Sequence, residues 1–285
     1  LPTVPVAVRK FAESIPHPIA LIGCRVSEMS LECCEFDLAV FAPASQDNQV
    51  MHVDGLAFEL LHLAGPARNY IVDLGGMQVL KDTNKFDLSS AVRGIAPEKY
   101  RKALSAAGKK SLISSLFFQQ KMRQAKLPTV AAMWLKLAAY EFMGGMLALS
   151  QSRPMPLHEL EQVRRADAGN MAEGVEVALE CIGIERATRP AISRSVNAIK
   201  ELKSKDYDRN LFVSKVNHLL GRSMLADSYY YAGKVAARNL AGRKELFYSQ
   251  YTKLVKLALD LSSDMQHLEK LRKLLLKAAN GGLKS

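Results

Sequence analysis

The chain has 285 residues, 48% of them hydrophobic, with 39 Lys and Arg against 28 Asp and Glu for a net charge of +11. That length implies two domains with room for a sizeable core. Its longest apolar stretch, Val130 to Leu149, is interrupted by Lys136, Glu141 and Gly144-Gly145, which excludes a membrane span of about 20 apolar residues and predicts a protein without membrane contact. The basic surplus favours an anionic partner, a nucleoside triphosphate or a nucleic acid, and serves solubility equally well. Cys24, Cys33, Cys34 and Cys181 have neither disulfide-framework nor metal spacing, and no signal peptide is evident. A reducing cytoplasm is the expected location.

In chain order, Pro5 to Ser14 predicts a short helix with Val6, Val8 and Phe11 inward, stopped by Ile15-Pro16 and His17-Pro18. Ile19 to Ile22 is an apolar run that halts at Gly23-Cys24. A polar segment follows, and Glu35-Phe36-Asp37 then opens a second run, Leu38 to Phe41. The pattern predicts strand, turn, short helix, strand. Because strand side chains alternate faces, Glu35 and Asp37 share one side and Phe36 takes the other. Two neighbouring acids repel unless a cation sits between them, which suits a divalent metal with oxygen ligands.

Val50 to Val53, Asp54-Gly55 and Leu56 to Leu63 predict a β-hairpin, since Asp-Gly takes the positive φ angles of a tight turn. Glu59 lies in its second strand. His62, three residues on, takes the opposite face and is not expected to join the acids. Asp73 lies in the next apolar run, Asn69 to Leu74.

The phrase Ile22-Gly23-Cys24, then about ten residues, then Glu35-Phe36-Asp37-Leu38 resembles the signature of the DNA polymerase β-like nucleotidyltransferase superfamily. Its usual form has Ser where Cys24 stands, Asp where Glu35 stands, and often a further Gly that is missing here. The resemblance implies Mg²⁺ or Mn²⁺ held by Glu35, Asp37 and a third carboxylate, Glu59 in first place and Asp73 in reserve. It also implies that Gly23 and Cys24 approach the phosphates of an NTP. Arg25 follows the turn, where a guanidinium suits phosphate oxygens and where a solvated arginine is equally at home. Val79 to Asn84, with Leu80-Lys81-Asp82, resembles the "leucine, any residue, Asp, turn" phrase that closes many such domains. The implied activity is transfer of a nucleoside monophosphate to an acceptor hydroxyl. The departures at Cys24 and Glu35 leave a second reading: a catalytically silent relative that senses nucleotide or binds protein or nucleic acid.

Beyond residue 95 apolar residues recur at helical spacing. Helices are predicted from Pro97 through Met122, over Thr129 to Gln151, Leu157 to Ala166, Asn170 to Cys181, Pro190 to Lys203, Asn210 to Leu220 and Met224 to Leu240. The last and longest, Arg243 to Ala279, is expected to end at Gly281-Gly282. Gly144-Gly145 inside a helix calls for close approach of a neighbour. Tyr229-Tyr230-Tyr231 with Lys234 and Arg238 resembles a base-stacking surface, though consecutive helical residues face different ways and at least one belongs to the core. The expected architecture is α+β: a small mixed sheet over residues 1–95 and a basic all-helical domain over 96–285. The second matches the plan of kanamycin nucleotidyltransferase-like proteins and is the part through which nucleic acid would bind.

Overall fold

The computed structural model describes residues 3–42, 47–64, 70–84, 87–202 and 207–284. The protein is α+β, with two compact units, Leu1–Ala103 and Leu104–Ser285.

The first unit is built on a five-stranded mixed sheet. Its strands are β1 (Ile19–Ile22), β2 (Phe36–Ala42), β3 (Gln49–Val53), β4 (Leu56–Ala64) and β5 (Gln78–Lys81), in the order β3-β4-β2-β1-β5. β2 and β4 run parallel, and the other neighbours are antiparallel. The β3–β4 hairpin turns at Asp54 (φ 50°) and Gly55 (φ 77°), the positive pair expected of Asp-Gly.

Both sheet faces are covered, which is why β1 reads as an unbroken apolar run. Helix α1 (Val6–Ser14) lays Val8 and Ala12 over Leu21, Phe36, Leu38, Phe58 and Leu60. Phe11 stacks on Phe58 with ring centroids 4.3 Å apart, while Val6, expected inward, is exposed. The helical register carries Val8 and Ala12 onto one side and leaves Val6 off it. On the opposite face Ala20, Ile22, Ala39 and Phe41 pack with Leu74 of α2 (Ile71–Leu74) and Leu88 of α3 (Leu88–Arg93). Asp73 is therefore helical, and Asn69, where its run was expected to begin, lies outside the described residues. Asp87 caps α3, accepting from the Ser90 N–H at 2.8 Å, and the Asp82 carboxylate accepts from the Leu88 N–H at 2.7 Å and the Ser89 N–H at 3.1 Å.

Helix α4 (Pro97–Gln124) begins at the expected proline. The division between units falls within it, after Ala103. The Tyr100 ring lies over Gly75, where a Cβ would come 1.9 Å from the ring, so the first turns of α4 belong with the sheet.

The second unit is helical. α5 (Pro128–Leu149) is apolar on all sides and buried along most of its length. Around it pack α6 (Glu159–Arg165), α7 (Ala172–Ile182), α10 (Leu225–Ala241), α12 (Thr252–Leu259) and α13 (Met265–Lys284). Helices α8 (Arg189–Glu201) and α9 (Arg209–Gly221) pack with α10. Gly145 meets the close neighbour its composition called for: a Cβ there would stand 2.9 Å from Leu112 and 3.1 Å from the Gly108 carbonyl. At Gly144 the nearest atoms would be an ordinary 3.8 Å away.

Three expectations are overturned in this unit. The single helix expected from Arg243 to Ala279 is three, α11 (Glu245–Gln250), α12 and α13. Asp260 takes a left-handed conformation (φ 48°) that ends α12, and Asp264 opens α13 by accepting from the His267 N–H at 3.0 Å. Gly281 and Gly282 do not stop α13, which runs to Lys284 with Gly282 against Leu112 and Met171. Tyr229, Tyr230 and Tyr231 are all buried and offer no stacking surface. Tyr230 donates to Glu159 at 2.9 Å, and Lys234 pairs with the same carboxylate oxygen at 2.9 Å. No described helix is long and apolar enough to cross a membrane.

Candidate metal centre

Three carboxylates converge at one end of the sheet. Glu35 stands immediately before β2, Asp37 is the second residue of that strand, and Glu59 lies in β4. One oxygen from each can be chosen so that all three lie within 4.8 Å of one another. Parallel pairing of β2 and β4 sets Asp37 opposite Glu59 and Phe36 opposite Phe58. The alternation of strand side chains then sends the acids to one face and the phenylalanines into the core beneath α1. Glu35 is buried, and Asp37 and Glu59 are half-buried.

Like charges this close raise the energy of the site, and a cation lowers it. An all-oxygen, all-carboxylate donor set matches a hard divalent ion such as Mg²⁺ or Mn²⁺ better than zinc or copper, which favour imidazole and thiolate.

Gly23 sits against this cluster. Antiparallel pairing places Ile22 across from Asp37, so the turn after β1 passes directly beside the acid. Gly23 has φ 76°, and a Cβ on it would lie 1.9 Å from Asp37 Oδ2. Both the left-handed backbone and the missing side chain are needed for the carboxylate to stand where it does.

The expected helix between the strands is a single 3₁₀ turn, Gly23–Val26, followed by irregular chain. Cys24 is buried within it. A thiol hydrogen bond to Cys34, burial, and the charges of Asp37 and Glu35 push the Cys24 thiol well up, so it stays protonated. Arg25 turns toward its own loop: Nε donates to the Cys34 carbonyl at 3.1 Å, and Nη2 donates to the Glu32 carbonyl at 3.1 Å and to the Cys34 carbonyl. Its guanidinium lies 4.5 Å from the centroid of the Phe36 ring. Arg25 thus ties the segment that delivers Glu35 to the turn that carries Gly23. Neither the Arg25 clamp nor the Cys24–Cys34 contact has a local sequence signal, because both depend on closure of the loop.

No protein-family model and no curated protein matches the chain. Among solved structures it is similar to a nucleotidyltransferase-like protein from Exiguobacterium sibiricum 255-15, at 13% identity, over 93% of this chain and 89% of that one, with a TM-score of 0.33.

Proposed function

We propose that the first unit is a nucleotidyltransferase domain in which Glu35, Asp37 and Glu59 hold Mg²⁺ or Mn²⁺ and, through it, the phosphates of an NTP. The observation that carries this reading is the convergence of the three carboxylates beside Gly23. When bound, the ion supplies positive charge against the triphosphate and its pyrophosphate leaving group. The chain supplies the rest. Gly23 gives the Asp37 carboxylate the room it occupies beside the turn, and Arg25 fixes the loop between Gly23 and Glu35. In the overall change an acceptor hydroxyl takes the nucleoside monophosphate, pyrophosphate departs, and Glu59 accepts the hydroxyl proton. Cys24, held as a neutral thiol, takes no part as a nucleophile.

The test is calorimetric titration of the full chain with Mn²⁺ and with an NTP panel, with pyrophosphate release followed in parallel. Asp37→Asn is expected to lose metal-dependent NTP binding by at least 100-fold. Unchanged binding in that variant removes the proposal. A second reading, nucleotide binding without transfer, draws on Cys24, whose side chain is committed to Cys34 where the usual signature has a serine. Tight NTP binding with no pyrophosphate release selects it.

A further inference from the structure

The helical unit contains a cavity of about 500 Å³ that the carboxylate cluster does not use. Its polar wall is a connected network. The Lys136 amine, buried in the middle of α5, donates to the Leu259 carbonyl and, at 3.2 Å, to the Tyr229 hydroxyl. Tyr229 in turn donates to Asp260 Oδ2 at 2.9 Å. Arg186 Nε stands 3.5 Å from the same oxygen and 3.7 Å from Glu185. The apolar wall is Leu261, Leu268 and Leu271. At the rim, His267 Nε2 and Glu180 pair at 3.2 Å.

Two backbone features hold this wall in place. Gly183, at φ 75°, closes α7 and leaves the space occupied by Arg186: a Cβ there would stand 2.0 Å from Nη2. Asp260 adopts φ 48°, a conformation that costs a side-chain-bearing residue energy and that turns its carboxylate to Tyr229 and Arg186. Arg186 Nε is buried and makes no hydrogen bond among the described residues. A guanidinium and a carboxylate side by side, with a buried amine behind them and leucines beyond, complement a ligand whose two opposite charges sit one carbon apart on an apolar body. Arg186 pairs with Asp260 and Glu185, so a simple anion would also meet the two acids and a simple cation would also meet Arg186 and Lys136, whereas an amphoteric molecule sets one of its charges against each.

We propose that this cavity binds a small α-amino acid with an apolar side chain, its carboxylate received by Lys136 and Arg186, its ammonium by Asp260, and its side chain by the leucines. Burial, reinforced by the charge of Arg186, pushes the Lys136 amine down to about 7. The groups that face it are Arg186, Asp260, Glu185, Cys181 and Tyr229. A ligand carboxylate adds negative charge to that set, so binding at pH 8 draws a proton onto Lys136.

Titration calorimetry of the full chain with leucine, methionine and phenylalanine tests the site, with 4-methylpentanoate and 3-methylbutylamine as probes that each lack one charge. At least one amino acid is expected to bind, with each single-charge probe weaker by tenfold or more. Net proton uptake is expected at pH 8 in buffers of different ionisation enthalpy. Lys136→Met should weaken binding at least tenfold and abolish the proton uptake. Asp260→Asn, which keeps a residue tolerant of the left-handed backbone, should weaken binding equally and serves if Lys136→Met does not fold. Absence of heat from all three amino acids, equal binding of the carboxylate probe, or wild-type affinity in Asp260→Asn overturns the proposal.

Discussion

The two units treat buried acid in opposite ways. In the helical unit Glu159, fully buried, is met by Lys234 and Tyr230 at 2.9 Å each. In the sheet unit three acids are gathered within 4.8 Å of one another. The charge inventories run the same way: the first 103 residues hold 10 Lys and Arg against 12 Asp and Glu, and the remaining 182 hold 29 against 16. The surplus of +11 therefore belongs to the helical unit, while the sheet unit is slightly acidic. An acid answered by a lysine is part of a core, because each charge offsets the desolvation of the other. Acids gathered with acids repel one another, and a divalent cation between them would relieve that repulsion.

The contrast can be broken most forcefully at Glu159. Glu159→Ala leaves Lys234 buried beside Tyr230 and should cost about 3–5 kcal/mol in denaturant unfolding, with Mn²⁺ binding unchanged. A loss under about 1 kcal/mol would mean that the buried pair does not hold the helical core.

Gly23→Ala should cost about 1–3 kcal/mol from left-handed strain and from the collision with Asp37. It should also weaken Mn²⁺ binding roughly tenfold, since about 1.4 kcal/mol of displaced carboxylate suffices for that. The control is Gly281→Ala, in a helix where a Cβ meets nothing within 4 Å. That change should stabilise by about 0.5–1 kcal/mol.

Glu59→Gln removes one of two like charges placed directly across parallel strands. In EDTA it should stabilise the protein by about 0.2–1 kcal/mol, and in Mn²⁺ it should destabilise. The same sign in both conditions would show that the trio does not hold a metal.

The smallest effect at neutral pH is expected from Lys136, and it is read as a slope. Its folded value near 7 lies below the ordinary 10.5, so between those limits the unfolded chain holds more proton than the folded one. Stability contributed by this group therefore rises with pH across that window. Above 10 the buried hydroxyls of Tyr140 and Tyr230, pushed up chiefly by burial, act in the opposite direction. Lys136→Met should flatten the rise between pH 7 and 10 in urea unfolding. An identical slope in the variant would show that the amine titrates as it does in water.

What could be read in the chain follows the range of the interactions. Ile19–Ile22, the Gly23 turn, the acid pair and the Asp54-Gly55 hairpin were legible because alternation and turn chemistry act over a few residues. Glu59 was legible only in part: parity put it on one face of β4, but its place opposite Asp37 depends on a parallel register between strands that are not consecutive. The break at Asp260 was hidden by an apolar stripe that continued across it. Its local sign was Ser262-Ser263-Asp264, a helix-opening sequence that the stripe outweighed.

The sequence by itself determined the α+β division, the hairpin at Asp54-Gly55 and the placing of Glu35 and Asp37 on one side of a strand, because these need only the periodicity and turn chemistry of the backbone. Tertiary structure alone decided that Tyr229, Tyr230 and Tyr231 are core, that Arg25 clamps its own loop, and that Lys136, Arg186 and Asp260 share a wall. Those outcomes join residues tens of positions apart, and which charges meet is fixed only when the helices pack.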